Sequence, residues 1–201
     1  MYRLIGGPRS RAFRVVWALE EIGAPYEVLP VRAGSKEARE LSPSGKVPAL
    51  EVDGTTLTDS VAIIQFLADR HGQLTHLAGS LERGIQDGFT QFAVDEIDGP
   101  IWTAAKHRFA LPEELRVPEV KETARAEFAR GLATLAARFG DGPFIMGEMF
   151  TVPDLIIGHC AGWARAAKFA LPETEPLAGY FERVRSRPAL ARALASVGEE
   201  G

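Results

Sequence analysis

The sequence predicts an α+β domain followed by an all-helical domain. Three observations carry this. Over residues 1–76, short apolar runs alternate with amphipathic stretches in the order β-α-β-α-β-β-α. Beyond about residue 78 the strand patterns stop and helical periodicity takes over. Between them "RHGQLTHLAGS" reads as a joining segment, giving expected domains of 1–76 and 77–201.

The elements follow in order. "YRLIG" is a short apolar strand. "SRAFRVVWALEEIG" sets Val15, Val16, Leu19 and Ile22 on one helical face, and Gly23 is placed to end it. "YEVLPV" is a second strand, and residues 35–41 form one helical turn. "SPSGKVPALEV" is a turn leading into a strand. "DGTTL" is a tight turn and a fourth strand, since Asp-Gly is a strong hairpin signal. "DSVAIIQFLADRHG" is a helix with Val61, Ile64 and Leu67 among its apolar residues, stopped at Gly72. In the second half, Ile85, Phe89, Phe92, Ile97 and Ile101 suggest one long helix bent near Pro100. Pro112 and Pro118 mark a loop. Thr123 to Phe139 and Leu155 to Phe169 are further helices, with shorter ones over 175–186 and 188–197, the last opened by Pro188.

Composition narrows the function classes. The chain has 201 residues, 46% hydrophobic and 25% charged, with a net charge of −4. That balance argues against a nucleic-acid partner, which favours a basic excess. No run of about 18 apolar residues exists, so no membrane span is expected. "MYRLIGG" lacks a long apolar h-region, so no secretory signal is expected. Cys160 is the single cysteine, which suits a reducing cytoplasm. His71, His76, His107 and His159 show no metal-ligand spacing with it, so no metal is expected.

Four short motifs stand out. In "GGPRSRAFRVVWALEE" Ser10 lies where a loop joins a helix, either as a cap or as a donor to an anion. Arg3, Arg9, Arg11 and Arg14 precede any acidic residue, either as a solvated positive face or as a local field that attracts an anion. In "SGKVPAL" Pro48 has no N–H for a central ladder. It is either an ordinary proline turn or the start of an open strand edge, where a cis Val47–Pro48 bond would turn Val47 outward. "TDSVAI" puts Asp59 and Ser60 at a helix start, where N-capping by Thr58 or Asp59 competes with anion binding. "FTVPDLI" is read as folding signal: a Thr151 cap, Asp154 at the third helical position, and a Phe150–Leu155 staple.

Together, "SRAFRVVWALEEIGAPYE", "SPSGKVPALEVDGTTLTDSVAIIQFLADRHG", "FIMGEMFTVPDLIIGHCAGWA" and "YFERVRSRPALARALA" resemble, in order and spacing, the cytosolic glutathione transferase family. Within that family the chain looks like a serine-type, bacterial-like member. The resemblance implies a thioredoxin-like N-terminal domain, an all-α C-terminal domain, a homodimer, and a cis Val47–Pro48 bond. Glutathione would be the co-substrate. Val47 would pair through its backbone with the cysteinyl part, Ser60 and the helix start would hold the γ-glutamyl carboxylate, and Lys46 would meet the glycyl end. Ser10 would donate to the glutathione sulfur, with Arg9 sharing or taking over that role. No tyrosine or cysteine stands at the equivalent position, and Asp59 replaces the more usual Glu or Gln.

The function so implied is a detoxifying conjugation of glutathione to small hydrophobic electrophiles. Phe13, Trp102, Ala105, Phe109 and Trp163 are the candidate wall of an electrophile pocket between the domains. The alternatives are a non-catalytic glutathione- or ligand-binding module on the same fold, and a glutathione-dependent peroxidase or isomerase.

Overall fold

The computed structural model describes residues 1–198. By compactness these divide into residues 1–78 with 186–198, and residues 79–185.

The first unit is built on a four-stranded sheet of β1 (Tyr2–Ile5), β2 (Tyr26–Leu29), β3 (Ala49–Val52) and β4 (Thr55–Thr58). Its spatial order is β2-β1-β3-β4. The β1–β2 pair is parallel, because α1 (Ala12–Ile22) carries the chain back between them, while β1–β3 and β3–β4 are antiparallel. A short α2 (Lys36–Leu41) precedes β3, and α3 (Ser60–His71) follows β4. The order is thus the expected thioredoxin-like one.

Helices α1 and α3 pack on each other and against the sheet. Val15, Val16, Trp17, Leu19, Ile63, Ile64 and Leu67 are essentially inaccessible, as are Leu4 and Leu50 from the central strands. Burying such side chains contributes about 1.5–3 kcal/mol each relative to exposure. Both helices stop at left-handed glycines: Gly23 (φ 72°) donates to the Leu19 carbonyl, and Gly72 (φ 62°) donates to Ala68 and Asp69.

The final helix, α9 (Pro188–Gly198), differs from the sequence grouping of 77–201. It packs on α1 in the first unit. Arg187 grips the Glu21 carboxylate with two bonds of 2.6 and 2.7 Å, and Arg192 bonds Glu20 at 2.9 Å. Glu21 also accepts from the buried Trp17 indole at 3.0 Å. Two acids at the C-terminal end of α1 oppose the helix dipole, and these arginines offset them.

The second unit is helical. In place of one long helix bent at Pro100, α4 (Leu81–Phe92) runs into a π-helical turn over Ala93–Asp98, then α5 (Gly99–Ala105), then a second π-helical turn over Lys106–Ala110. Pro100 stands in the first turn of α5, where its missing N–H is tolerated. Gly131 of α6 (Val120–Arg138) explains the tight packing on the first π turn: a Cβ there would lie 2.5 Å from the Glu96 carbonyl oxygen. Helices α7 (Val152–Ala166) and α8 (Leu177–Arg185) complete the unit. Among the described residues, no helix is long and apolar enough to cross a membrane.

The start of α7 matches its motif. Thr151 and Asp154 form a reciprocal capping box. The buried Asp154 carboxylate accepts from the Ile145 N–H at 2.9 Å, the Thr151 N–H at 2.8 Å and the Thr151 hydroxyl at 2.9 Å. Burial outweighs these donors and raises its pKa to about 6. The buried Tyr180 hydroxyl faces the same carboxylate without reaching hydrogen-bond geometry.

Candidate functional site

Strand register gathers the candidate residues of the first unit. Ile5 stands opposite Ala49, and Ala49 stands opposite Thr58. The next residues outward, Gly6, Pro48 and Asp59, therefore share one end of the sheet. Gly6 shows how closely the segments approach. With φ of 142°, a Cβ there would fall 2.8 Å from the Ala12 Cβ and 3.1 Å from the Val47 Cβ. Only glycine accepts both that backbone and that contact. The loop bearing Ser10, the first residue of α1 and Val47 therefore lie together.

Ser10 takes the capping role that its position suggested. Its hydroxyl donates to the Gly7 carbonyl at 2.7 Å and accepts from the Ala12 N–H at 3.1 Å. It is half-buried, one residue ahead of the N-cap Arg11, whose own side chain makes no capping bond. Ser10 thus caps the α1 terminus through one N–H.

The four early arginines do not form one positive face. Arg14 is fully buried and is partnered there, and Arg3 pairs with Glu51 at 3.0 Å further along the sheet. Arg9 is exposed and Arg11 half-buried, so these two sit nearest Ser10 in the chain. Arg14 lies in a helix buried along nearly its whole first two turns, a setting that its charge disguised in the sequence.

The Val47–Pro48 peptide is cis. Pro48 is buried and Val47 half-buried, just ahead of β3. Among the described residues, no hydrogen bond engages the Val47 backbone. Lys46 is exposed on the preceding loop, where its N–H donates to the Ser44 hydroxyl at 3.3 Å.

At the start of α3, Asp59 is the cap and Thr58 is not. Its Oδ1 accepts from the Val61 N–H at 2.9 Å and the Ala62 N–H at 3.4 Å. Asp59 has φ of 71°, a conformation that costs a non-glycine residue about 1–3 kcal/mol. Two of the helix's open donors are thus spent on its own cap. What α3 presents at this end is Ser60, buried at its first position.

The electrophile-pocket candidates fall on separate elements. Phe13 is half-buried on α1, one turn beyond Ser10. Trp102 and Ala105 are half-buried on α5, and Phe109 is 64% exposed in the second π turn. Trp163 lies on α7 with its ring 4.7 Å from that of His159. Helices α5 and α7 pack on each other.

Comparison with known proteins supplies the family. Residues 9–70 match the glutathione S-transferase N-terminal domain family, and residues 102–195 match the glutathione S-transferase C-terminal domain family. The chain is 32% identical to the glutathione S-transferase GstA of Escherichia coli O157:H7, over 79% of this chain and 77% of that one. It is 28% identical to the disulfide-bond oxidoreductase YfcG of Escherichia coli K12, over 100% of this chain and 98% of that one. A crystal structure of a glutathione transferase from Methylococcus capsulatus superposes with a TM-score of 0.86 at 27% identity, covering 99% of this chain and 100% of that one. On its two matched domains, its relatives and its fold, the chain belongs to the glutathione S-transferase family.

Proposed function

We propose that this protein conjugates reduced glutathione to small hydrophobic electrophiles, as a serine-type transferase. The observation that supports this most is Ser10: a hydroxyl at the mouth of α1, beside Val47, with no competing tyrosine or cysteine in the loop. The Val47 backbone is open to pair with the cysteinyl part of glutathione in extended form. Ser60 suits the γ-glutamyl carboxylate, and Lys46 the glycyl one. Pro48 shapes the turn that carries Val47. Asp59 acts chiefly as a cap, and its second carboxylate oxygen is the group that would meet the γ-glutamyl ammonium.

The chemistry follows from the hydroxyl. A free thiol has a pKa of about 8.5 and is mostly protonated at neutral pH. On binding, Ser10 turns its hydrogen from the Gly7 carbonyl to the sulfur, and the Arg9 charge adds a favourable field. Both favour release of the thiol proton to solvent, and the resulting thiolate attacks an electrophilic carbon, forming the C–S bond as the leaving group departs with the electrons of its bond to that carbon. Phe13, Trp102, Ala105, Phe109 and Trp163 are the side chains offered to the apolar substrate. The protein acts as a homodimer in this reading, for which exposed Leu81 and Ile85 on α4, four residues apart, provide an apolar stripe. A cytoplasmic setting suits the free, buried Cys160. No metal takes part in this scheme.

Turnover of a chloronitrobenzene with glutathione, compared between wild type and Ser10→Ala, tests this. Wild-type turnover with full retention in the variant would remove Ser10 from the mechanism. Retention on immobilised glutathione without turnover of any electrophile would make the protein a binding module instead. The disulfide oxidoreductase relative motivates a second assay, reduction of a small disulfide by glutathione. A hydroxyl cannot form a mixed disulfide, so any such activity would run through glutathione alone.

A further inference from the structure

We propose that Arg9 directs the protein toward electrophiles that carry a carboxylate, by gripping that group while Ser10 holds the glutathione sulfur. This rests on the conjugation reading above and narrows its second substrate. The four early arginines have different surroundings. Arg3 pairs with Glu51 at 3.0 Å, Arg14 is fully buried, and Arg11 is half-buried and partnered. Arg9 is exposed, and among the described residues nothing engages its guanidinium. Acids close by do not answer it. The first in the chain is Glu20, at the far end of α1, where Arg192 holds it at 2.9 Å. Asp59, at the same end of the sheet, is turned toward its own helix by the Val61 and Ala62 N–H groups.

The turn that carries Arg9 fixes where this charge stands. The Ser10 N–H donates to the Gly7 carbonyl at 3.2 Å, and the Ser10 hydroxyl donates to the same oxygen at 2.7 Å. Residues 7–10 therefore form a closed turn with Pro8 and Arg9 at its tip. The two glycines that lead into it face different surroundings. A Cβ on Gly6 would strike Ala12 and press on Val47, whereas a Cβ on Gly7 would meet no atom within 4 Å. The turn has a packed side toward Val47 and an open side at Gly7, the residue whose carbonyl Ser10 already contacts.

These features divide the site between two substrates. The thiol peptide lies along Val47, and the electrophile comes to the sulfur from the side left open. The stem of Arg9 lets its head reach past Ser10, and its planar fork takes a carboxylate with two bonds. For an aryl chloride, the thiolate sulfur bonds to the carbon bearing chlorine, the ring and its nitro groups carry the added negative charge, and chloride leaves with the electron pair of the C–Cl bond. The carboxylate is not consumed. It orients the ring, and an amide in its place offers Arg9 no charge.

Steady-state conjugation of a chlorodinitrobenzoate and of the matching chlorodinitrobenzamide, chlorine para to the acid or amide group, tests the assignment on the full chain. Each kcat/KM is divided by the uncatalysed rate of the same compound with glutathione, which removes the difference in intrinsic reactivity. The wild type is expected to favour the benzoate by roughly three- to tenfold, and added salt to shrink that preference. Arg9→Gln brings the ratio toward one even where it slows both compounds, and Arg9→Lys keeps part of the preference. An unchanged ratio in Arg9→Gln overturns the role of Arg9. Equal wild-type values for the two compounds overturn it as well and leave the conjugation reading standing. Wild-type protein that turns over neither overturns that reading and this inference with it.

Discussion

The starts of α1 and α7 are both helix N-termini closed by a hydroxyl residue, and they are built for opposite ends. At α7 the cap is sealed. Thr151 and Asp154 are fully buried, and the carboxylate takes three donors from two chain segments. At α1 the cap is thin. Ser10 holds one N–H, remains half-buried, and stands next to a backbone segment whose own hydrogen-bonding groups are open. The start of α3 falls between, since exposed Asp59 closes two donors and Ser60 is buried at the first helical position. A helix terminus that is fully satisfied serves folding. One left partly satisfied can trade its bonds for those of a ligand.

The largest expected effect lies at the sealed end. Asp154→Ala orphans two buried backbone N–H groups and a hydroxyl, at a cost of about 3–5 kcal/mol. Chemical denaturation should show it, and a loss below about 1 kcal/mol would mean the box is not what holds this unit together.

A second effect at the same residue depends on pH. Burial pushes the Asp154 pKa up to about 6 in the folded chain from its ordinary value of 3.8. Between those values the folded state binds more protons than the unfolded one, so stability falls as pH rises. The contribution is fully present below pH 3.8, is lost by rising through about 6, and amounts to at most about 3 kcal/mol. The difference in unfolding free energy between wild type and Asp154→Asn, followed from pH 4 to 7, isolates this group. A wild-type advantage that grows with pH would contradict the assigned direction.

These two regions also differ in how far they could be read from sequence. The α7 box was legible, because Thr151, Pro153 and Asp154 lie within four residues, whereas the bond from the Ile145 N–H to Asp154 was not. The strand and helix order of the first unit was legible too, since Gly23, Pro48, Asp53-Gly54 and Gly72 punctuate it. The site itself needed the sheet. Nothing local says that Gly6 must clear Val47. The return of α9 to α1 rests on pairs such as Arg187 with Glu21, 166 residues apart. The π turns at 93–98 and 106–110 escaped because their side chains continue an unbroken helical pattern.

At α3, Asp59→Ala should lose about 1–2 kcal/mol, from the cap and from alanine's poorer tolerance of positive φ. Asp59→Asn should retain most of the stability, since an amide oxygen can still cap. Thermal melts of the two variants separate these outcomes. Equal melting of both with wild type would show that the cap contributes nothing.

The smallest stability effect is expected at the open end, where Ser10→Ala removes two half-buried bonds to groups that water can reach and shifts unfolding by about 1 kcal/mol. Its consequence belongs to chemistry instead. The ultraviolet absorbance of the thiolate, titrated with pH for glutathione bound to wild type and to Ser10→Ala, reads that consequence directly. The account predicts a bound thiol pKa below the free value of about 8.5 in the wild type, and about one unit higher in the variant. The same bound pKa in both proteins, with binding intact, would contradict it.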